Sequence, residues 1–242
     1  MFEIDLFCFP YAGGSARAIY SKWEDAIDRS IHIVPMELAG HGVRMMEPPY
    51  ASISQAVTEL FESIRPNIVK RPYALYGHSM GTVFAYEIAL VAKEAELPPP
   101  VMMFLSGRLP NNILKNDTKI CHLSDEDFIS EILKIGGTSK EVFESTELRN
   151  IFIPILRNDY MLVDNYIVKE PIESIASDIV FFFSDEDKLV SKPEIFEWKK
   201  YITGDFNYYE FKGGHFFIND CYNAMCKCIE ERLVKTEARC QK

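Results

Sequence analysis

The chain is 242 residues long, 48% hydrophobic and 26% charged, which fits one large α/β core with an insertion rather than two full domains. Its net charge of −10 argues against nucleic-acid binding, because nothing here would neutralise phosphates in bulk; an acidic partner would need a local basic patch. No apolar run is long enough to span a membrane, and Met1-Phe2-Glu3-Ile4-Asp5 carries acids where a signal peptide needs basic residues. The six cysteines show no paired metal-ligand spacing. Cys226 and Cys228, two apart on a helix, would point about 200° away from each other. No metal is expected, and a reduced, cytoplasmic chain is the plain reading.

Leu6 to Phe9, starting near Ile4, reads as a short buried strand ending in Pro10-Tyr11-Ala12-Gly13-Gly14. Ile19, Trp23 and Ile27 then fall on one face of a helix expected from Ala16 to about Ile27. A second strand spans Ile31 to Leu38, where Pro35 cannot donate to a ladder and so points to an edge position or a bulge. From Ser52 to about Arg65 a helix presents Ile53, Val57, Leu60, Phe61 and Ile64, and Pro66 is expected to end it. Tyr73 to Tyr76 is the next strand. Val83, Phe84, Tyr86, Ile88, Ala89 and Leu90 suit a buried helix, and Val101 to Leu105 is again a strand. Strands alternating with helices imply a parallel sheet covered on both faces.

The alternation stops between Leu109 and Pro171, where helical patches are joined by polar turns. Ser124-Asp125-Glu126-Asp127 is a helix start, Gly136-Gly137 a stop, and Leu148 to Val163 a further helix containing Pro154. Such a helical insertion at 109–171 is either a lid or a partner-docking segment. The strand–helix pattern resumes with Ile179 to Phe183, a helical stretch from Ile195 to Tyr201, and the strand Asn207 to Phe211. A last helix runs from Phe216 to about Leu233, with a frayed tail expected from Lys235.

Gly77-His78-Ser79-Met80-Gly81, between a strand and a helix, has the pattern of a nucleophile elbow, a turn tight enough to hold a serine hydroxyl clear of the backbone. A serine that merely caps a helix would not need both glycines. Ser79 is therefore the candidate nucleophile. It needs a base, and the base needs an acid, in chain order serine, acid, histidine. His215 follows a strand and the flexible pair Gly213-Gly214, and is the candidate base. His32 lies within a strand, His41 in a glycine loop that either rims the site or stabilises its own turn, and His122 in the insertion. His78 adjoins Ser79 with its ring expected to point away from the hydroxyl. No carboxylate follows Leu105, so the acid belongs to the turn after Phe183, with Asp187 preferred and Asp185 its rival. The oxyanion formed at Ser79 needs preorganised N–H donors. Met80 at the helix start and Tyr11, the first residue after Pro10 with an N–H, are the candidates.

Taken together, Phe9-Pro10-Tyr11-Ala12-Gly13-Gly14, Gly77-His78-Ser79-Met80-Gly81 and Phe211-Lys212-Gly213-Gly214-His215-Phe216 resemble the type II thioesterases, stand-alone editing enzymes of nonribosomal peptide and polyketide synthesis. Leu123 to Phe128, Gly136-Gly137-Thr138 and Leu156-Arg157-Asn158-Asp159-Tyr160 are similar to that family's lid. The resemblance implies an α/β-hydrolase fold with a helical lid and a Ser79–His215–Asp187 triad, with oxyanion donors at Tyr11 and Met80. It also implies hydrolysis of acyl groups from the phosphopantetheine arm of acyl or peptidyl carrier domains. That arm belongs to the substrate, so no cofactor is expected, and a monomer is the plainer state. Ser184, where the family often has glycine, and Thr82, where it often has glycine or alanine, depart from the pattern. Arg108, Lys115 and Lys119 offer a basic patch for an acidic carrier. A carboxylesterase or acyltransferase on the same fold, and a non-catalytic carrier-binding protein, are the competing readings.

Overall fold

The computed structural model describes residues 3–110 and 119–240. Six strands form one sheet: β1 (Ile4–Phe9), β2 (Ile31–Pro35), β3 (Tyr73–His78), β4 (Met102–Ser106), β5 (Asp178–Ser184) and β6 (Phe206–Phe211). Every pairing is parallel, and the order is β2-β1-β3-β4-β5-β6. The inner strands read as continuous apolar runs because helices cover both faces. With a side-chain period of two, Phe7, Leu75, Met103 and Phe181 enter one core. Leu6, Ala74, Phe104 and Phe182 enter the other. β2 lies at an edge, which gives Pro35 a place where its missing N–H is harmless, and leaves His32 partly exposed.

The helices are α1 (Ala16–Tyr20), α2 (Ile53–Ile68), α3 (Met80–Glu94), α4 (Asp125–Ile135), α5 (Lys140–Glu144), α6 (Thr146–Asp164) and α7 (Ile218–Cys240). Residues of α2 and α3 fill the first core, and those of α1 and α7 the second. β2 ends at Pro35 rather than at the expected Leu38, and three helices also depart from expectation. The helix from Ala16 ends at Tyr20 and tightens into a 3-10 turn, Ser21–Trp23. Residues three apart eclipse in such a turn, and Tyr20 and Trp23 accordingly meet edge to face at 5.2 Å. Pro66 does not end α2. It sits in the last turn, where it deprives only the exposed Glu62 of a carbonyl partner, while buried Ile68 holds the turn to the core. α7 starts two residues later than expected and continues helical through the Lys235 tail, a run of good helix formers.

Between β4 and β5 the chain makes the helical block α4–α6. Phe128, Ile132, Phe143, Ile153 and Leu156 pack together as a core separate from the two that sandwich the sheet. Ser124 Oγ accepts the Asp127 N–H at the start of α4, as read from the sequence, and α6 runs through Pro154. The chain leaves β1 toward β2 on one side and returns to β3 on the other. The crevice beyond the carboxyl ends of β1 and β3 is the topological switch point, where open α/β sheets bind ligands.

Candidate active site

At this switch point β3 turns into α3 through Gly77 to Gly81. A Cβ on Gly77 would lie 2.1 Å from the Gly81 carbonyl oxygen, and one on Gly81 would lie 2.3 Å from that of Phe9. Both glycines are thus required by contact rather than by φ. Ser79 itself has φ 52° and ψ −115°, a left-handed conformation that costs a non-glycine residue about 1–3 kcal/mol. Its neighbours hold it there. The Ser79 N–H donates to the Ser106 carbonyl at 2.8 Å. Thr82, which departs from the family pattern, donates both its N–H (3.0 Å) and its hydroxyl (2.8 Å) to the Ser79 carbonyl.

His215, buried on the turn between β6 and α7, lies with Nε2 3.0 Å from Ser79 Oγ and Nδ1 2.9 Å from Asp187 Oδ2. A neutral imidazole has one N–H. Donated from Nδ1 to the carboxylate, it leaves Nε2 to accept the serine proton. The second Asp187 oxygen accepts the Leu189 N–H at 2.9 Å, which fixes the carboxylate. Asp185, the rival, instead pairs with Lys212 Nζ at 2.7 Å and does not reach the histidine. Ser184, the other departure, donates its hydroxyl to the Gly213 carbonyl and accepts the Glu186 N–H, so it ties the acid turn to the histidine loop. The structure therefore brings Ser79, His215 and Asp187 together in one hydrogen-bonded line.

His78 points away from Ser79 Oγ, as its position before the serine requires. Its Nδ1 is 2.8 Å from Ser106 Oγ, and its ring lies 5.1 Å from that of His215. Burial, and then the neighbouring His215, hold its pKa well below the ordinary value. It stays neutral beside His215. The Tyr11 ring stacks edge to face on His78 at 5.8 Å and on Phe216 at 4.8 Å. Because Gly81 abuts the Phe9 and Pro10 carbonyls, the backbone of Tyr11 is brought close to the start of α3 at Met80.

The helical block closes over this loop. Leu156 packs on Gly13, where a Cβ would lie 2.4 Å from the leucine, and Gly137 packs on the Phe216 ring. Asp159, almost fully buried in α6, accepts the Gly13 N–H at 2.7 Å and meets His41 Nε2 at 2.8 Å. His41 thus belongs to the site's rim, tied to a residue 118 positions away. The sequence marks the run Leu156 to Tyr160, but nothing local to it reveals that the carboxylate reaches across to Gly13. Under the block, Tyr11, Gly13, His41, Ile155 and Phe216 line a cavity of about 640 Å³. Neither this cavity nor another of about 600 Å³, between α2, α3 and the end of α6, is lined by Ser79, Asp187 or His215; the first adjoins them through Tyr11 and Phe216.

The expected basic patch does not form as read. Burial turns Arg108 inward among Tyr166, Asp164 and Tyr160 and lowers its pKa to about 10. Lys119 donates to Asn165 Oδ1 at 2.7 Å, and Lys115 lies outside the described residues. His122 is exposed. Cys226 is buried, and the partly exposed Cys228 packs against the same core. Among the described residues no three His, Cys, Asp or Glu are grouped to hold a metal, and no helix is long and apolar enough to cross a membrane.

The model of the thioesterase family, described as a thioesterase domain, matches residues 5–233. The chain is 32% identical over 236 residues to the gramicidin S biosynthesis protein GrsT of Aneurinibacillus migulanus, covering 96% of this chain and 90% of that protein. It is also 32% identical over 237 residues to the medium-chain S-acyl fatty acid synthase thioesterase of Homo sapiens, covering 95% and 86%. Among solved structures, ClbQ from the colibactin NRPS/PKS pathway superposes with a TM-score of 0.91 at 32% identity, over 98% of this chain and 99% of that one. The α/β-hydrolase architecture read from the sequence is the fold observed, and the chain belongs to the thioesterase family.

Proposed function

We propose that this thioesterase is a type II enzyme, releasing acyl groups from the phosphopantetheine thiol of acyl or peptidyl carrier domains of a nonribosomal peptide or polyketide synthase. Its triad is Ser79, His215 and Asp187. The single observation that carries the reading is the hydrogen-bonded line Ser79 Oγ–His215–Asp187 at the sheet's switch point, in a chain of this family. His215 Nε2 takes the hydroxyl proton as Ser79 Oγ attacks the thioester carbonyl. The tetrahedral intermediate expels the thiolate, which takes the proton from His215 as it departs, and leaves an acyl-serine beside a neutral imidazole. His215 then activates water, which releases the acid and restores the hydroxyl. A thiol with a pKa of about 8.5 departs with little protonation, so pocket shape governs selectivity more than leaving-group chemistry does. The Tyr11 and Met80 N–H groups are the oxyanion donors, each worth roughly 3–4 kcal/mol in the transition state by analogy with other oxyanion holes.

Residues 109–171 act as the lid of one hydrolase domain, and the cavity of about 640 Å³ beneath it receives the acyl group or the arm. The names of GrsT and ClbQ point to peptide and polyketide assembly lines as the source of the carrier. The side chains at Ser79 complete the chemistry without a cofactor, and a cytoplasmic monomer is the form expected to act.

The test is hydrolysis of acyl carrier proteins loaded with short to long chains. Wild type should turn them over, Ser79→Ala should lose about 10⁶-fold in kcat, as for other triad serines, and a fluorophosphonate should label only the wild type. Faster turnover of a nitrophenyl ester would make the protein an esterase. Acyl transfer to an added alcohol or amine would make it an acyltransferase, and unlabelled Ser79 would leave a carrier-binding protein.

A further inference from the structure

We propose that Asp159 is a positioning residue for the reaction at Ser79, one carboxylate oxygen fastening the lid to both the oxyanion loop and His41. Oδ2 accepts the Gly13 N–H at 2.7 Å and faces His41 Nε2 at 2.8 Å. Gly13 is the third residue of a tight turn closed by the Gly14 N–H on the Tyr11 carbonyl at 3.0 Å, and its φ of +75° suits that position. Holding its amide holds the whole Tyr11–Gly14 turn. The turn begins at the residue whose N–H is the proposed oxyanion donor, so the inference rests on that reading of the site.

His41 is held on both sides. Nδ1 lies 3.1 Å from the Ala39 carbonyl while Nε2 faces the carboxylate. A neutral ring would aim a lone pair at one of these oxygens. The geometry therefore calls for a proton on Nδ1 and another between Nε2 and Asp159. Burial alone would lower the pKa of His41, but the hydrogen bond and charge of Asp159, with lesser help from the Ala39 carbonyl and Glu37, bring it above the ordinary value. The groups facing the pair are Glu37, engaged by Ser15 Oγ and the Ala16 N–H, and Tyr160, whose own pKa burial raises. A raised histidine pKa means the tie is complete below about pH 6.5, the unfolded value, and is lost as pH climbs through the folded one. The rest of the run Leu156 to Tyr160 serves the same clamp. Leu156 packs on Gly13, Arg157 donates to the Cys121 and Leu123 carbonyls within the lid, and Asn158 donates to the Tyr50 carbonyl at 3.2 Å.

The test measures kcat and KM for an acyl-pantetheine thioester against pH, with hydrogen exchange of the Gly13 amide read in parallel. Asp159→Asn should lower kcat at least tenfold with KM within threefold, and should speed Gly13 exchange tenfold after correction for intrinsic rates. In wild type, kcat should fall on the alkaline side as the His41 proton is lost. His41→Gln, which keeps one donor toward Asp159 but cannot titrate, should abolish that alkaline limb. Wild-type kcat and Gly13 protection in Asp159→Asn overturn the proposal, and so does an alkaline limb that survives His41→Gln. If Asp159→Asn does not fold, His41→Gln carries the same two readouts. A wild type that hydrolyses no thioester refutes the functional reading alone, because Gly13 exchange still reports whether Asp159 holds the turn.

Discussion

Ser106, the last residue of β4, braces the turn at Ser79 twice: its carbonyl accepts the Ser79 N–H, and its hydroxyl meets His78. His78 is thereby locked as a neutral ring against His215. The stability consequence has a definite sign. Because folding depresses the His78 pKa, the unfolded chain binds a proton that the native one refuses below about pH 6.5, and stability falls as pH falls. The slope from this one group reaches about 1.4 kcal/mol per pH unit. Urea unfolding between pH 7 and 5 should therefore be shallower in pH for His78→Gln by that amount. An unchanged slope would mean that the ring is charged in the native state. That this ring turns from the hydroxyl was legible from its place beside Ser79. Its packing on His215 was not, since the two lie 137 positions apart and only the closure of the sheet joins them.

Among the elements, the turn after β5 shows best how local pattern and tertiary contact divide the information. The sequence narrows the acid to this turn because β4 ends without a carboxylate, yet Asp185, Glu186 and Asp187 are chemically similar candidates. What separates Asp185 from Asp187 is direction. Asp185 leans outward to Lys212, while Asp187 turns inward to His215. Asp187→Ala should lower kcat roughly 10⁴-fold, the order found for triad acids elsewhere, and Asp185→Ala should leave it within twofold. The reverse ranking would reassign the acid. The inner strands were read well because both of their faces are buried, so no polar alternation blurs the apolar runs, while the edge strand β2 ends three residues before the expected Leu38. Helix ends were read less well. The 3-10 turn at Ser21–Trp23 answers to ring packing, and α2 outlasts Pro66 because Ile68 is buried.

For the molecule as a whole, the net charge of −10 meets no basic patch formed by Arg108 and Lys119. An acidic carrier is then repelled at long range, and salt relieves that repulsion as the Debye length shrinks from about 30 Å at 0.01 M to about 8 Å at 0.15 M. kcat/KM for acyl carrier protein should rise over that range, while kcat/KM for free acyl-pantetheine stays flat. A fall with salt would instead reveal an attractive docking surface. The fold was legible because the strand–turn–helix pattern is local, and the proposed reacting groups could be named because the chain order of such a triad is restrictive. The clamp at Asp159 was not, because it joins α6 to loops after β1 and β2 that share no sequence neighbourhood.

The separate core of the helical block has a thermodynamic corollary. Leu162 and Val163 of α6 lie in the first core, whereas Phe128, Ile132, Phe143 and Ile153 pack on one another and would stay buried if the block swung away. Leu156 alone among them gives up its contact with Gly13. Heat-capacity change follows newly wetted apolar area. Opening should therefore show a van 't Hoff plot curved by the wetting of Leu162 and Val163, though less than that of global unfolding.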